Sequence, residues 1–485
     1  MLAPTSDSGR SRSNKPKVPL WPRRRIDATT ATVSATSIWK PPLGRLTLGL
    51  ALAVVATAFE SLAVATILPT ATTQLGGLAL YGWAFSAFML ASLIGISVGG
   101  SQNDRAGPSL VFLAGILLFV AGLVVSGLAS SMPILVGGRT LQGAGAGLLS
   151  AVSYAAIAQA YAVDLQPRML ATLSSAWVVP GLIGPGVAGL VAEHASWRWV
   201  FLGLVPLPVI AAVLVLPALR RLPVATSPAE GSGRTWLAVQ LGFGASMGLV
   251  GISLRTWEFA LLLLVTGSLV AVHALRRLLP AGTGVARAGL PAAIASMALL
   301  NFAFFGTEAF LPLALSHVRR APVLLSGASL TAAALTWTLG AWLPVRFAER
   351  VGRGPIIFAG LGVLGAGLLG SLSLLFPSVP TASAVFVWGV AGLGMGLAFA
   401  TTAAAILETA APGHAGVASS SLQLAQVLGA ALATGAGGAI VAAPFAGDPP
   451  ILGIGAVDLL MVAAVALAML AARGVPNARS ASAAQ

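Results

Sequence analysis

Between its second and third apolar stretches the chain carries the segment Gly-Ser-Gln-Asn-Asp-Arg-Ala-Gly, residues 100–107. Its pattern of an acid, an arginine, any residue and a glycine returns 245 residues later as Glu349-Arg350-Val351-Gly352. Two glycine-rich stretches, residues 143–147 and 392–396, recur at an offset of 249. Close helix crossings favour glycine in any membrane protein, so each match alone is weak. Together, in order and at nearly equal offsets, they predict an internal repeat.

Apolar residues dominate the chain on both sides of these segments. Of the 485 residues 57% are apolar and 8% charged, whereas about 25% of a soluble protein is charged. A lipid-exposed backbone must satisfy its own hydrogen bonds, and the alternation typical of a β-barrel is absent. The sequence therefore predicts an all-α polytopic membrane protein. Fourteen stretches have the length of about 20 residues that a membrane span needs, at residues 46–69, 79–101, 109–129, 133–159, 169–192, 199–219, 235–254, 259–275, 289–315, 323–345, 355–376, 382–407, 415–443 and 451–472.

The charge distribution predicts that both termini are cytoplasmic. If they are, 22 of the 27 Lys and Arg lie in inner segments and four in outer loops, with Arg139 inside a span. This is a strong positive-inside bias. Nine of the 22 lie in residues 1–45, against two aspartates, so this tail supplies half of the net charge of +14. Such a tail favours orientation or contact with anionic lipids over nucleic-acid binding.

Two polar linkers divide the chain. Residues 220–234 and 276–288 combine Arg with Pro and Gly, as linkers do. They enclose a pair of apolar stretches and leave six on either side. We expect these parts: a basic, disordered cytoplasmic tail, an N-terminal six-helix bundle, a linker with two extra helices, a C-terminal six-helix bundle and a second cytoplasmic tail, at residues 1–45, 46–219, 220–288, 289–473 and 474–485.

Five motifs resemble those of the major facilitator superfamily, in particular its fourteen-helix drug:proton antiporter branch. They are residues 100–107 after helix 2, Arg139-Thr140-Leu141-Gln142-Gly143 on helix 4, Gly184-Pro185-Gly186-Val187-Ala188-Gly189 on helix 5, Trp197-Arg198-Trp199-Val200-Phe201 opening helix 6, and Glu60 with Leu68-Pro69-Thr70 on helix 1. The resemblance covers about residues 45–475. It implies a major-facilitator fold of two six-helix bundles plus two extra linker helices, and it implies transport.

The motifs also depart from the family pattern. Pro108 and Ser109 replace the basic pair that normally follows Gly107, which puts the usual cytoplasmic gate contact in doubt. Pro180 stands where the antiporter motif often has Gly, and Ala188 replaces one of its terminal glycines. Alanine is still small enough for close packing.

Alternating access needs two bundles that rock about a central cavity. The resemblance assigns conformational gating to the turn and helix-crossing motifs, namely Gly100, Asp104, Arg105, Gly107, Gln142, Gly143, Gly184, Pro185, Gly189, Glu349, Arg350 and Gly352. Gly-Pro on helix 5 removes an intrahelical hydrogen bond and allows a bend. An ordinary packing face is the alternative interpretation of this helix.

Three ionisable residues lie firmly inside predicted spans, away from their ends: Glu60, Arg139 and Glu308. Each is expensive in lipid, by at least ~2.5 kcal/mol. Glu60 lies about 21 Å into helix 1 and Arg139 about 9 Å into helix 4 from the other side, so their depths agree and we expect them to interact. Glu308 on helix 9 follows Glu60 at an offset of 248. We expect these three residues to couple protons to substrate; a neutral group that only locks helices is the alternative for each acid.

A substrate surface is harder to define. Large apolar side chains with a few polar groups suit amphipathic ligands, which makes candidates of Trp83, Asn301, Trp337, Trp388, Gln423 and Gln426. Packing and interfacial anchoring are the alternatives for these residues. We expect Asp458, near the outer end of helix 14, and Glu258, at the start of helix 8, to be solvated.

Other classes of protein find little support. A phosphate-binding Gly-x-x-x-x-Gly-Lys-Ser/Thr loop is absent, as is cysteine, and the four histidines are scattered; we expect no enzyme activity, cofactor or metal. The sequence predicts a secondary active transporter of a bacterial plasma membrane, acting as a monomer among membrane lipids, that exports amphipathic small molecules such as drugs or antibiotics in exchange for protons. Export of an endogenous metabolite or lipid, uptake by symport, and a non-transporting sensor remain alternatives.

Overall fold

The structure is a computed structural model that describes residues 37–222, 232–254, 256–409, 415–447 and 449–475. Within these ranges the side chains of residues 232, 345–349, 415 and 446 are not described. Most of the predicted basic tail, residues 223–231 of the first linker and residues 476–485 therefore lie outside the described part.

Every regular element of the described residues is helical, and fourteen helices are long and apolar enough to cross a membrane, as predicted. They are α1 Gly44–Leu75, α2 Trp83–Ala106, α3 Pro108–Gly127, α4 Met132–Ala160, α5 in two segments Gln166–Ser175 and Val178–His194, α6 in two segments Arg198–Leu202 and Pro206–Leu219, α7 Ser232–Ser253, α8 Trp257–Leu278, α9 Leu290–Leu313, α10 Val323–Val351, α11 Arg353–Ser373, α12 Ser383–Glu408, α13 Ala415–Val441 and α14 Ile451–Ala472. We call the end of the bundle where α1 begins and α14 ends the terminal face, and the other end the opposite face.

The two sets of six helices pack in the same order. In the N-terminal half, α1–α6, helix α4 packs on α2 and α3, and α1 packs on α5 and α6. In the C-terminal half, α9–α14, helix α12 packs on α10 and α11, and α9 packs on α13 and α14. Each pair recurs eight helices later, so the repeat inferred from the glycine and Asp-Arg patterns is a repeat of structure.

Glycines set the closest helix crossing in each half. A Cβ added to Gly147 on α4 would lie 2.8 Å from the Cα of Gly95 on α2. One added to Gly396 on α12 would lie 2.9 Å from the Cα of Gly340 on α10. Gly340 follows Gly95 by 245 residues and Gly396 follows Gly147 by 249 residues, so the α10–α12 crossing repeats the α2–α4 crossing. Only residues without a side chain allow the backbones to approach this closely.

The two halves meet at the α2–α13 and α5–α10 contacts. Near the opposite face, the Ser86 hydroxyl on α2 lies 3.0 Å from that of Thr434 on α13. The backbone N–H of Leu324 on α10 donates to Glu193 on α5 at 3.0 Å. These contacts join the halves in the part of the bundle away from the termini.

The extra helices α7 and α8 pack on each other at the side of the bundle, and α7 also packs on α2 and α13. The Thr235 hydroxyl donates to the Ser97 carbonyl on α2 at 3.4 Å. Arg234, the residue before Thr235, donates to the Ser420 hydroxyl on α13 at 3.3 Å. Helix α7 therefore covers the seam between the two halves.

Candidate functional site

The centre of the N-terminal half contains an ion pair between α1 and α4. The guanidinium of Arg139 contacts the carboxylate of Glu60, and both residues are 2% exposed. Glu60 lies 16 residues into α1 and Arg139 seven residues into α4, which run in opposite directions. The contact expected from the two predicted depths is therefore present. The role of the pair in proton coupling stays a prediction.

Arg139 is fully engaged by its surroundings. Its Nε donates to the Ala84 carbonyl on α2 at 2.9 Å, and its Nη1 donates to Gln142 Oε1 at 2.6 Å. Its guanidinium carbon lies 4.4 Å from the centre of the Phe88 ring, a cation–π contact. Arg139 thus ties α1, α2 and α4 together, while Glu60 Oε2 has no hydrogen-bond partner.

Glu308 on α9 is buried, at 9% exposure, and its Oε2 has no hydrogen-bond partner. Arg139 is the one buried cation among the described residues, and it is already paired with Glu60. The offset of 249 that relates α4 to α12 carries Arg139 onto Trp388. Instead of an ion pair, the C-terminal half has Phe304 stacked on Trp388, with ring centroids 5.1 Å apart and planes 20° from parallel. Glu308 therefore has no equivalent of the arginine that Glu60 contacts.

Aromatic side chains of α9, α10 and α12 form one cluster around this stack. The Trp337 ring lies 5.3 Å from that of Phe304 and 5.5 Å from that of Phe399. Trp337 is partly exposed and Trp388 fully buried. Two predicted substrate residues, Trp337 and Trp388, thus belong to one cluster, and of these two Trp337 is the partly exposed one.

The other predicted substrate residues lie apart or are enclosed. Asn301 is buried, and its amide donates to the Met297 carbonyl at 2.8 Å. Trp83 packs on α7, where its indole N–H donates to the Ser253 hydroxyl at 3.4 Å. The side chains of Gln423 and Gln426 on α13 are partly buried. The structure gives Trp83 a packing role against an extra helix, which was the alternative interpretation.

The repeated turns, Asp-Arg-x-Gly after α2 and Glu-Arg-x-Gly after α10, have the same backbone geometry. Gly107 has φ 85° and ψ 156°, and Gly352 has φ 87° and ψ 161°. This left-handed φ favours glycine strongly over any side chain, which explains why the motif ends in Gly in both halves. The side chain of Glu349 lies outside the described residues; Arg350 is exposed.

The first of these turns borders a hollow of about 330 Å³ at the terminal face. Gly100, Asp104 and Arg105 line it from α2, together with Arg234 of α7 and Ser420 of α13. The predicted gating residues of this segment, Gly107 apart, therefore border the seam of α2, α7 and α13 at this face. Near the opposite face, α2 and α13 are in direct contact.

The glycines of α5 lie at contacts rather than on a free surface. A Cβ on Gly184 would lie 3.5 Å from the ring of Phe59, the neighbour of Glu60. A Cβ on Gly189 would lie 3.3 Å from the Cα of Leu324 on α10, and one on Gly327 would lie 2.5 Å from the Pro185 carbonyl oxygen. The Gly-Pro motif thus forms part of the joint between the two halves, as gating would require.

Asp458 corrects the sequence-based interpretation. The sequence predicts a solvated Asp458 near the outer end of α14, seven residues after the helix begins at Ile451, but the residue is 2% exposed. Its helix turns it towards α9, and sequence position alone does not give that rotation. Glu258 is exposed, as expected. Within the described residues no group of three or more His, Asp or Glu could hold a metal ion.

The family model described as the Major Facilitator Superfamily matches residues 50–434. The chain belongs to the major facilitator superfamily. This major facilitator protein is 26% identical, over 85% of its length and 91% of the relative's, to a probable multidrug-efflux transporter of Mycobacterium tuberculosis. It is 26% identical to the methylenomycin A resistance protein of Bacillus subtilis, over 82% of its own length and 86% of that protein.

Solved structures share the fold. The in meso crystal structure of the POT family transporter PepTSo matches with a TM-score of 0.63 and 16% identity, covering 88% of the chain and 96% of that structure. A partially occluded inward open conformation of the xylose transporter XylE from E. coli matches with a TM-score of 0.59 and 16% identity, covering 90% of the chain and 98% of that structure. The major facilitator assignment makes the chain a multi-pass membrane transporter rather than an enzyme.

Proposed function

We propose that this protein exports amphipathic small molecules in exchange for protons, by alternating access between its two halves. One observation carries the proposal: Glu60 and Glu308 are buried acids on the repeat-related helices α1 and α9, and only Glu60 has an arginine. A carboxyl group inside a membrane protein without a counter-ion marks a proton or ion pathway by default.

The positive charges support a cytoplasmic terminal face. Among described residues outside the tail, Arg105, Arg220, Arg276 and Arg353 lie at that end of their helices. Such a bias is typical of cytoplasmic segments. In this orientation the Ser86–Thr434 and Glu193–Leu324 contacts lie at the outer side and the hollow at the seam of α2, α7 and α13 lies at the inner side, which supports an inward-facing arrangement. The bacterial relatives and this charge distribution support a plasma-membrane location in a bacterium.

Proton exchange then follows from competition at one cavity. In the inward-facing state, substrate enters from the cytoplasm and Glu308 releases its proton to the same water. Rocking about the α2–α13 and α5–α10 contacts turns the cavity outward, where substrate leaves and a proton returns to Glu308. Because an unpaired carboxylate is unfavourable in a dry bundle, the empty carrier returns only when it is protonated. That requirement couples the two fluxes.

The aromatic cluster supports an amphipathic, partly aromatic substrate. Trp337 presents a partly exposed ring that contacts the rings of Phe304, Phe305 and Phe399, and Phe304 in turn stacks on Trp388. Apolar and aromatic walls with a few polar groups are typical of sites for drug-sized ligands. The named activities of the relatives, multidrug efflux and resistance to methylenomycin A, agree with such a substrate.

The test is reconstitution into liposomes with an imposed pH gradient and a panel of cationic, neutral and anionic amphipathic compounds. We expect the gradient to drive accumulation of at least one class, and Glu308→Gln to lose that accumulation. Glu258→Gln, which changes an exposed acid of α8, is the matched control and should behave as wild type. Binding without movement of any compound would indicate a sensor, and movement with the proton gradient would indicate a symporter; either result contradicts the proposal.

A further inference from the structure

Asp458 is a buried acid that the exchange scheme above does not use. It is the only Asp, Glu, Lys or Arg in α14, a helix of 22 residues. Its side chain is 2% exposed although nothing in the sequence of α14 would prevent this position from facing lipid or a loop. The helix lies on α9, which carries Glu308.

The approach of α14 to α9 is close at this level. Met461 lies against Gly306, where an added Cβ would be 3.1 Å from the Met461 Cγ and nearer still to its sulfur. The next residue, Thr307, faces Asp458: its hydroxyl lies within reach of the carboxyl group. Thr307 is buried, and its hydroxyl makes no hydrogen bond of regular geometry. A carboxyl that served only to lock two helices would be expected to have its polar partners satisfied.

Charged groups around Asp458 do not neutralise it. Five elements pack on α14. Helix α9 carries Glu308, the turn at residues 314–318 carries His317 and α11 carries Arg353, while α13 and the turn Pro444–Ala446 carry no charged residue. Arg353 pairs with Glu408 at the terminal face, and His317 contacts Thr73 at 3.2 Å. Arg319, after the turn, donates to backbone carbonyls at the end of α11. An ionised Asp458 would therefore be an uncompensated buried charge, which a membrane interior disfavours.

We propose that Asp458 is a second proton-binding residue of the C-terminal half, with Thr307 placing its carboxyl beside α9, and that it gains and loses a proton in each cycle in addition to Glu308. The inference rests on the proposed function. Asp458 lies about 10 Å from the opposite face along its helix, and the proposal requires that water reach it from that face when the halves open there. The Asp458 carboxylate then takes up a proton from the outer water, and after the halves have rocked the carboxylic acid releases that proton to water on the inner side, so that one proton crosses the membrane in each cycle.

The test is the ratio of protons to substrate in liposomes, with tetraphenylphosphonium as the probe and the membrane potential clamped. We expect Asp458→Asn to lower the ratio by about one proton per probe ion and Thr307→Val to weaken the dependence of transport on the gradient. Asp164→Asn changes an exposed acid and Thr66→Val a buried threonine that also lacks a hydrogen-bond partner; both should keep the wild-type ratio. An unchanged ratio in Asp458→Asn overturns the inference.

A measurement without transport covers the case in which Asp458→Asn is inactive. Infrared difference spectra of the purified protein, with and without probe, should contain the carbonyl band of a protonated carboxyl that changes on binding. That band should lose intensity in Asp458→Asn and return, shifted, in Asp458→Glu; identical spectra in wild type and Asp458→Asn contradict the inference. If wild type itself shows no proton-coupled movement of any probe, the proposed function fails. If wild type shows such movement and Asp458→Asn has the same ratio and spectrum as wild type, the proposed function stands and this inference alone fails.

Discussion

Trp388 on α12 occupies the position in the C-terminal half that Arg139 on α4 occupies in the N-terminal half. Their partners lie on α1 and α9, the first helix of each half: Arg139 contacts Glu60, and Trp388 stacks on Phe304, about one turn from Glu308. The repeat thus conserves the helix crossing and changes its chemistry. One half has its acid neutralised by arginine, and the other leaves Glu308 beside aromatic rings.

Removing one partner of the Glu60–Arg139 pair should destabilise the protein. Glu60→Gln leaves a buried guanidinium without its carboxylate, a change that typically reduces the free energy of unfolding by about 3 kcal/mol or more. Changing both residues, in Glu60→Gln with Arg139→Gln, should lose less than the sum of the single changes. Equilibrium unfolding in mixed micelles measures the three variants, and strictly additive losses would show that the contact contributes nothing.

Placing an arginine at the equivalent position should convert the C-terminal half to the chemistry of the N-terminal half. We expect Trp388→Arg to pair with Glu308 and to suppress pH-driven transport as strongly as Glu308→Gln does. Trp388→Phe keeps an aromatic ring on Phe304 and should retain coupling; loss of the aromatic pair itself is worth only about 1 kcal/mol. Uptake driven by a pH gradient measures all three, and full coupling in Trp388→Arg would contradict the assignment of Glu308.

The glycine crossings predict a paired effect on stability. Gly147→Ala and Gly396→Ala each force a methyl group into the backbone of a neighbouring helix, and overpacking of this kind costs about 1–3 kcal/mol. Because the two crossings are repeats, the shifts in Tm should be similar. Gly362→Ala is the control, since its added Cβ would meet only a methionine methyl at 3.7 Å. A loss in Gly362→Ala as large as in the other two would remove the argument.

The contact near the opposite face can be locked. The chain has no cysteine, so Ser86→Cys with Thr434→Cys introduces a single pair at side chains now 3.0 Å apart. Oxidation should crosslink α2 to α13 and stop transport, and reduction should restore it, because the halves must separate there to open outward. Each single variant is the control. Undiminished transport by the crosslinked protein would exclude rocking at this joint.

The sequence allows much of this architecture to be predicted, and some of the site. The number of helices follows from the lengths of the apolar stretches. The internal repeat follows from the spacing of glycines, because the helix crossings at which they lie leave no room for a side chain. The Glu60–Arg139 contact follows from matching depths. The offset of 249 also places Trp388 at the position that corresponds to Arg139. This correspondence can be interpreted only once α4 and α12 are known to be equivalent helices.

Other features depend on helix rotation, which apolar periodicity does not give in a chain that is apolar on all sides. Asp458 is buried and Glu258 exposed although both lie near helix ends. Trp83 was expected at the substrate surface, but it faces α7, and only the packing of the extra helix pair against α2 reveals this.

The most direct measurement compares two kinds of movement in one variant, Glu308→Gln, in liposomes with the membrane potential clamped. Counterflow of a permanently charged cation tests the rocking of the halves, and accumulation driven by an acidic interior tests proton coupling. We predict that Glu308→Gln retains counterflow and loses pH-driven accumulation, while Glu258→Gln retains both. Accumulation in Glu308→Gln equal to that in wild type would contradict the account.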